Sequence, residues 1–194
     1  MPGRDIFVQA WYQGGISVID FTDSSNPFEI AFFDRGPINA DKLVMGGYWS
    51  AYWYKGFVYG TEIARGLDVL ELQPSEYLTR NEIAAASLVA PDTFNVQQQR
   101  RIDWSNRPVV ARAYLDQLGR EDSLSTAQGT LLSDLLDRTD QIMADGTQPS
   151  TAIAEELDNA ATSIERDSGR ARGLGRARLT ALAEIMKNLA ARLR

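Results

Sequence analysis

Hydrophobic and polar positions along this chain follow two periods. Up to residue 72 the apolar runs are short, β-branched and aromatic, and broken by turn residues, which is the pattern of strands. Six strands are predicted, at 6–11 (IFVQAW), 16–21 (ISVIDF), 28–34 (FEIAFFD), 48–54 (YWSAYWY), 57–62 (FVYGTE) and 67–72 (LDVLEL). Gln13-Gly14-Gly15, Asp23-Ser24-Ser25-Asn26-Pro27, Lys55-Gly56 and Arg65-Gly66 supply the turns. Arg35-Gly36-Pro37 ends the third strand, because proline removes a ladder donor.

From Pro74 onward the period is helical. Residues 75–89 carry Tyr77, Leu78, Ile83 and Leu88, with a capping-box pattern at Thr79-x-x-Glu82, and predict one broken helix or two. Residues 92–106 are polar and irregular, a connector. Pro108 opens a helix at a first-turn position that runs to 118. Ser125-x-x-Gln128 caps the next, with Leu131, Leu132, Leu135, Leu136, Ile142 and Met143 on one stripe and Gly146 as its stop. Ser150 begins another, with Ile153, Leu157, Ala160, Ala161 and Ile164 on one face and Gly169 at its end. Residues 174–193 form the last. Short loops between the final three favour antiparallel neighbours.

The expected class is therefore α+β: an N-terminal antiparallel β-sheet followed by a C-terminal α-helical hairpin or bundle. The division is 1–74 for the strands, 75–106 for a helix and connector, and 107–194 for the helices. Composition shifts at the same place, since fifteen of the 18 aromatic residues precede position 80.

The 194 residues contain no histidine and no cysteine, which removes Ser-His-Asp, thiol and Fe–S chemistry and the common zinc sites. A formal charge of −6 argues against nucleic-acid binding. No apolar run approaches the roughly 20 residues of a membrane span, and the N-terminus has no secretory h-region. No metal site and no cofactor is expected.

An internal repeat is visible. Phe7-Val8 aligns with Phe57-Val58 at an offset of 50, and, after one inserted residue, GISVIDF from Gly15 aligns with GLDVLEL from Gly66 at an offset of 51. Several short strands per copy at this spacing suggest propeller blades. The two glycine-led segments, Gly15-Ile16-Ser17-Val18-Ile19-Asp20 and Gly66-Leu67-Asp68-Val69-Leu70-Glu71, resemble the LVIVD-repeat proteins over about residues 4–90. The helical tail is similar to the C-terminal appendage some of these carry. The resemblance implies a bacterial β-propeller, usually cell-surface or secreted, with no established enzymatic activity. A propeller closes with about four to eight blades, and strands for fewer than two are present. The expectation is a partial propeller, the C-terminal part of a longer protein with further repeats and a signal peptide upstream.

Seven aromatics fall within positions 48–59. Trp49, Tyr52, Trp53 and Tyr54 could stack on a glycan or protein ligand, or be buried between blades. Strict alternation puts Tyr48, Ser50, Tyr52 and Tyr54 on one face and Trp49, Ala51 and Trp53 on the other. Glu62 and Arg65 flank a turn and are binding candidates on the rim, with structural ion pairing as the alternative. Asp20, Asp23, Ser24, Ser25 and Asn26 collect oxygens in one turn, but their spacing matches no calcium repeat and reads as an Asx-type turn. Arg170, Arg172, Arg176 and Arg178 form a basic cluster, offset by twelve acidic against ten basic residues over 120–194.

The functional reading is a non-enzymatic binding or scaffold module with no catalytic residue. Its expected partners are upstream blades or another copy through the exposed sheet, with no nucleic acid and no membrane span. The alternative is a hydrolase of sugar or phosphate esters using carboxylates and an oxygen-ligated metal.

Overall fold

Residues 1–93, 95, 101–144 and 149–194 are described by the computed structural model. Part of the predicted connector and the predicted stop at Gly146 lie outside them. The chain divides into two compact units, one centred on Gly3–Arg101 and the other on Ile102–Arg194.

The first unit is built from two three-stranded antiparallel sheets. β1 (Ile6–Ala10), β2 (Ile16–Asp20) and β3 (Phe28–Phe33) form one, in that order; β4 (Tyr48–Tyr54), β5 (Phe57–Glu62) and β6 (Gly66–Glu71) form the other. Two sheets do not close a propeller, and the architecture is α+β. All six predicted strands are present, with ends within a residue or two of those expected.

The β1–β2 and β5–β6 hairpins share one register. Ile6 faces Asp20, Val8 faces Val18 and Ala10 faces Ile16; 51 positions on, Phe57 faces Glu71, Tyr59 faces Val69 and Thr61 faces Leu67. The sequence alignment at 50 for Phe7-Val8 is therefore one residue off: in strand register Phe7 corresponds to Val58 and Val8 to Tyr59. Both hairpins end their turn on a glycine in the left-handed region, Gly15 at φ 81° and Gly66 at φ 96°.

The sheets pack face to face. Ile16 of β2, Tyr48 of β4 and Val58 of β5 are buried together, with Val8, Ala10, Phe33, Ala51, Trp53 and Leu70 packed around them. Gly60 permits this approach, since a Cβ there would lie 2.6 Å from Ile16 Cδ1 and 2.8 Å from the Tyr48 ring. A second cluster joins Val18, Ile30 and Leu78, backed by Leu72 and Ile83. The segment after β6 thus folds over the first sheet and ends in α1 (Arg80–Ala86), one short helix opened by a complete Thr79–Glu82 capping box. Trp53 Nε1 donates to the Ala86 carbonyl at 3.1 Å and ties that helix to β4.

The second unit contains α2 (Pro108–Arg120), α3 (Thr126–Ala144), α4 (Thr151–Ser168) and α5 (Gly173–Arg192). α4 packs on α5, α2 on α3 and α5, and α3 on α4. Pro108 begins α2, and Ser125 and Gln128 exchange the bonds expected of a capping box. Leu132, Leu135, Leu136 and Thr139 form the buried face of α3, while Leu131 points to solvent. The stripe read from the sequence was one residue too wide. Among the described residues no helix is long and apolar enough to cross a membrane.

Candidate functional site

The aromatic strand β4 does not alternate as its sequence suggests. Tyr48 pairs with Glu62 but Ser50 with Thr61, so a bulge sits at Trp49. A bulge adds one residue to the strand and resets which face later side chains occupy. Tyr48 consequently joins Ala51 and Trp53 on the buried face, not Ser50, Tyr52 and Tyr54 as alternation requires. Its hydroxyl donates to Asp68, which Arg35 also holds. Burial first, then this hydrogen bond, push the Tyr48 hydroxyl well above its usual range.

The opposite face of the second sheet is open. Its cross-strand rows are Ser50–Thr61–Leu67, Tyr52–Tyr59–Val69 and Tyr54–Phe57–Glu71. Leu67 is 61% exposed, Val69 53% and Trp49 69%, with Tyr52 and Phe57 also exposed. Tyr12 stands edge-on to Trp49, and Tyr54 leans on Tyr59 with Lys55 Nζ 5.3 Å from the Tyr54 ring centre. Of the predicted binding residues, Trp49, Tyr52 and Tyr54 belong to this outer surface, whereas Trp53 packs inward.

Glu62 is buried and spends its carboxylate on backbone. It accepts from Gly47 N at 2.6 Å, from Ala64 N at 2.9 Å and from Arg65 N. Burial raises its pKa, and these three amides outweigh that, holding the carboxyl below its ordinary value. Arg65 is exposed and reaches the Pro37 carbonyl at 3.4 Å. The two rim candidates therefore differ, one locked inside the turn and one at the surface.

The oxygen-rich turn after β2 is satisfied internally. Asp20 accepts from the Thr22 amide at 2.9 Å and from its hydroxyl, and Asp23 accepts from Ser25 N at 3.0 Å. The other Asp20 oxygen accepts from Arg4 Nε at 3.0 Å and Nη2 at 2.7 Å. Arg4 Nη1 also donates to Glu82 and to the Tyr77 carbonyl at 2.8 Å. Among the described residues no three Asp or Glu side chains gather closely enough to hold a metal. The arginine cluster divides as well: Arg178 is buried against Glu121, while Arg170, Arg172 and Arg176 are exposed.

A groove of about 830 Å³ runs beside β6, lined by β2, β3, residues 69–72 and the 73–77 segment. Its charged lining residues, Glu29, Glu71 and Glu76, are all acidic. Sequence reading missed Arg4, Asp68 and the exposed pair Leu67 and Val69. The last two were within reach, because alternation along GLDVLE separates them from Asp68 and Leu70.

Compared with family models, characterised proteins and solved structures, the chain has no match.

Proposed function

We propose that this chain is a non-enzymatic binding and scaffold module of the LVIVD-repeat kind, a partial propeller carrying a helical appendage. In this reading it is the C-terminal part of a secreted or cell-surface protein. The observation that carries the proposal is the outer face of β4–β5–β6, an aromatic and aliphatic sheet surface left uncovered. A contiguous exposed apolar surface marks an interaction site more often than a solvated one. The shared hairpin register supports the repeat reading, and the engagement of Glu62, Asp20, Asp68 and Glu82 in structural bonds supports a binding role over carboxylate chemistry.

A hydrophobic dye tests the surface. The full chain is expected to bind it, and Leu67→Ser with Val69→Ser is expected to lose most of that binding while keeping the circular dichroism spectrum. Turnover in a panel of sugar and phosphate esters supplied with divalent metals would overturn the proposal in favour of a hydrolase.

A further inference from the structure

We infer that copies of this chain associate head to tail, the outer face of the first sheet in one copy covering the outer face of the second sheet in the next. The inference rests on the repeat reading above and names the partner of the same surface.

The internal joint between the sheets is made from unlike faces. Ile16 and Val18 of β2 point toward the buried clusters, and the second sheet meets that side with Val58 and Leu70. The shift of 51 carries Ile16 and Val18 not onto those residues but onto Leu67 and Val69, which lie on the second sheet's outer face. It carries Phe7 and Ile19, on the first sheet's outer face, onto Val58 and Leu70. Had like faces met, the two faces left over would be of one kind and could not repeat the internal joint between copies. Unlike faces leave one of each kind over.

Both leftover faces carry exposed apolar side chains, those of the first sheet flanking a polar strip of Gln9, Ser17 and Glu29 in which the Ser17 hydroxyl donates to Glu29. The second sheet offers Tyr52, Leu67 and Val69; the first offers Phe7 and Phe32, the latter 74% exposed. The strands contribute one charge to each, Glu71 and Glu29. The internal joint shows how such faces fit, so the leftover face of one copy matches that of another. Gln9 stands where the internal joint has Gly60, so the joint between copies is wider and the association reversible. A contact between unlike surfaces is heterologous, and it extends into a ring or an open row unless a face is blocked.

Two double variants test this by sedimentation or light scattering on the full chain. Phe7→Glu with Phe32→Glu blocks the first outer face, and Leu67→Glu with Val69→Glu blocks the second. The unmodified chain should exceed its 21.5 kDa monomer mass increasingly with concentration. Each variant alone should remain a monomer. Their equimolar mixture should form a dimer and go no further, because each retains the face the other lacks. Circular dichroism verifies folding, and serine replaces glutamate where a glutamate variant unfolds. A monomeric unmodified chain at every concentration overturns the inference, as does a mixture that stays monomeric or a single variant that dimerises alone. A monomer that still binds the hydrophobic dye overturns only the stacking and leaves the binding module standing.

Discussion

Arg4 Nη1 and Glu82 Oε1 meet at 2.7 Å across 78 positions of sequence, with side chains 3% and 0% exposed. The same guanidinium holds Asp20, so one buried cation joins the start of the chain, the end of β2 and the first turn of α1. Removing one partner of such a group leaves an uncompensated buried charge, which costs about 3–5 kcal/mol. Arg4→Met is expected to destabilise the β unit by that amount. Glu82→Gln should cost less, since it retains an oxygen for the Thr79 amide. Urea unfolding followed by tryptophan fluorescence measures both, because Trp11, Trp49 and Trp53 lie in this unit.

Acid should loosen the same unit. Burial raises the Asp20 carboxyl, but the Thr22 hydroxyl and amide and the Arg4 guanidinium outweigh it and hold it below 3.8. Glu62 is likewise held below 4.5 by the Gly47, Arg65 and Ala64 amides. Below these ordinary values the unfolded chain binds more protons than the folded one. The stability these groups contribute is therefore complete above about pH 5 and lost as pH falls through their folded values. The urea midpoint should decline below about pH 5, and Asp20→Asn should flatten part of that decline; the buried Met1 amine, lowered to about 6, adds a separate loss as pH falls from about 8 through 6. An unchanged midpoint at about pH 3 would contradict this assignment.

Gly15 and Gly66 occupy matching hairpin positions with different neighbours. A Cβ on Gly15 would lie 2.2 Å from the Phe33 carbonyl oxygen, while one on Gly66 would meet nothing within 4 Å. The reason is β3, which pairs with β2; residues 79–84, displaced by the same 51 positions, cap and begin α1 instead of adding a strand to β6. Gly66→Ala should cost only its left-handed backbone, about 1–2 kcal/mol. Gly15→Ala should cost more and loosen β3, visible as faster amide exchange in 28–33. Equal costs would show that β3 yields freely.

The strands, the α1 capping box and the helix starts at Pro108 and Ser125 were legible because local signals determine them. Glycine turns, a serine three residues before a glutamine and period-two runs act within a few residues. The bulge at Trp49 was not legible, because nothing in YWSAYWY distinguishes a bulged strand from a regular one. Nor was Arg4, whose partners lie 16 and 78 positions away and are brought together only by the folding of 73–89 over the first sheet. Among the candidate residues, Trp49 and Tyr52 are both exposed, where the sequence leaves burial between blades open and strict alternation puts them on opposite faces. Glu62 looked like a rim charge only because backbone amides leave no trace in a sequence.

Leu131 and Leu136 test the helical unit on one helix with one chemical change. Both lie in the interior of α3, so replacing either with alanine alters helix propensity by the same small amount. Their surroundings differ: Leu136 is fully buried and Leu131 is 70% exposed. Leu136 shares the buried face with Leu132 and Leu135, and α3 packs on α2 and α4. Truncating it removes apolar burial and leaves a cavity that neighbouring helices close only in part. Leu136→Ala is expected to cost about 2–5 kcal/mol. Leu131→Ala removes atoms already in water and should change stability by no more than about 0.5 kcal/mol. The helical far-ultraviolet signal during urea unfolding of the full chain reads both. If the two variants unfold at the same midpoint, the buried face of α3 is wrongly assigned, and the wider stripe including Leu131 is the better description.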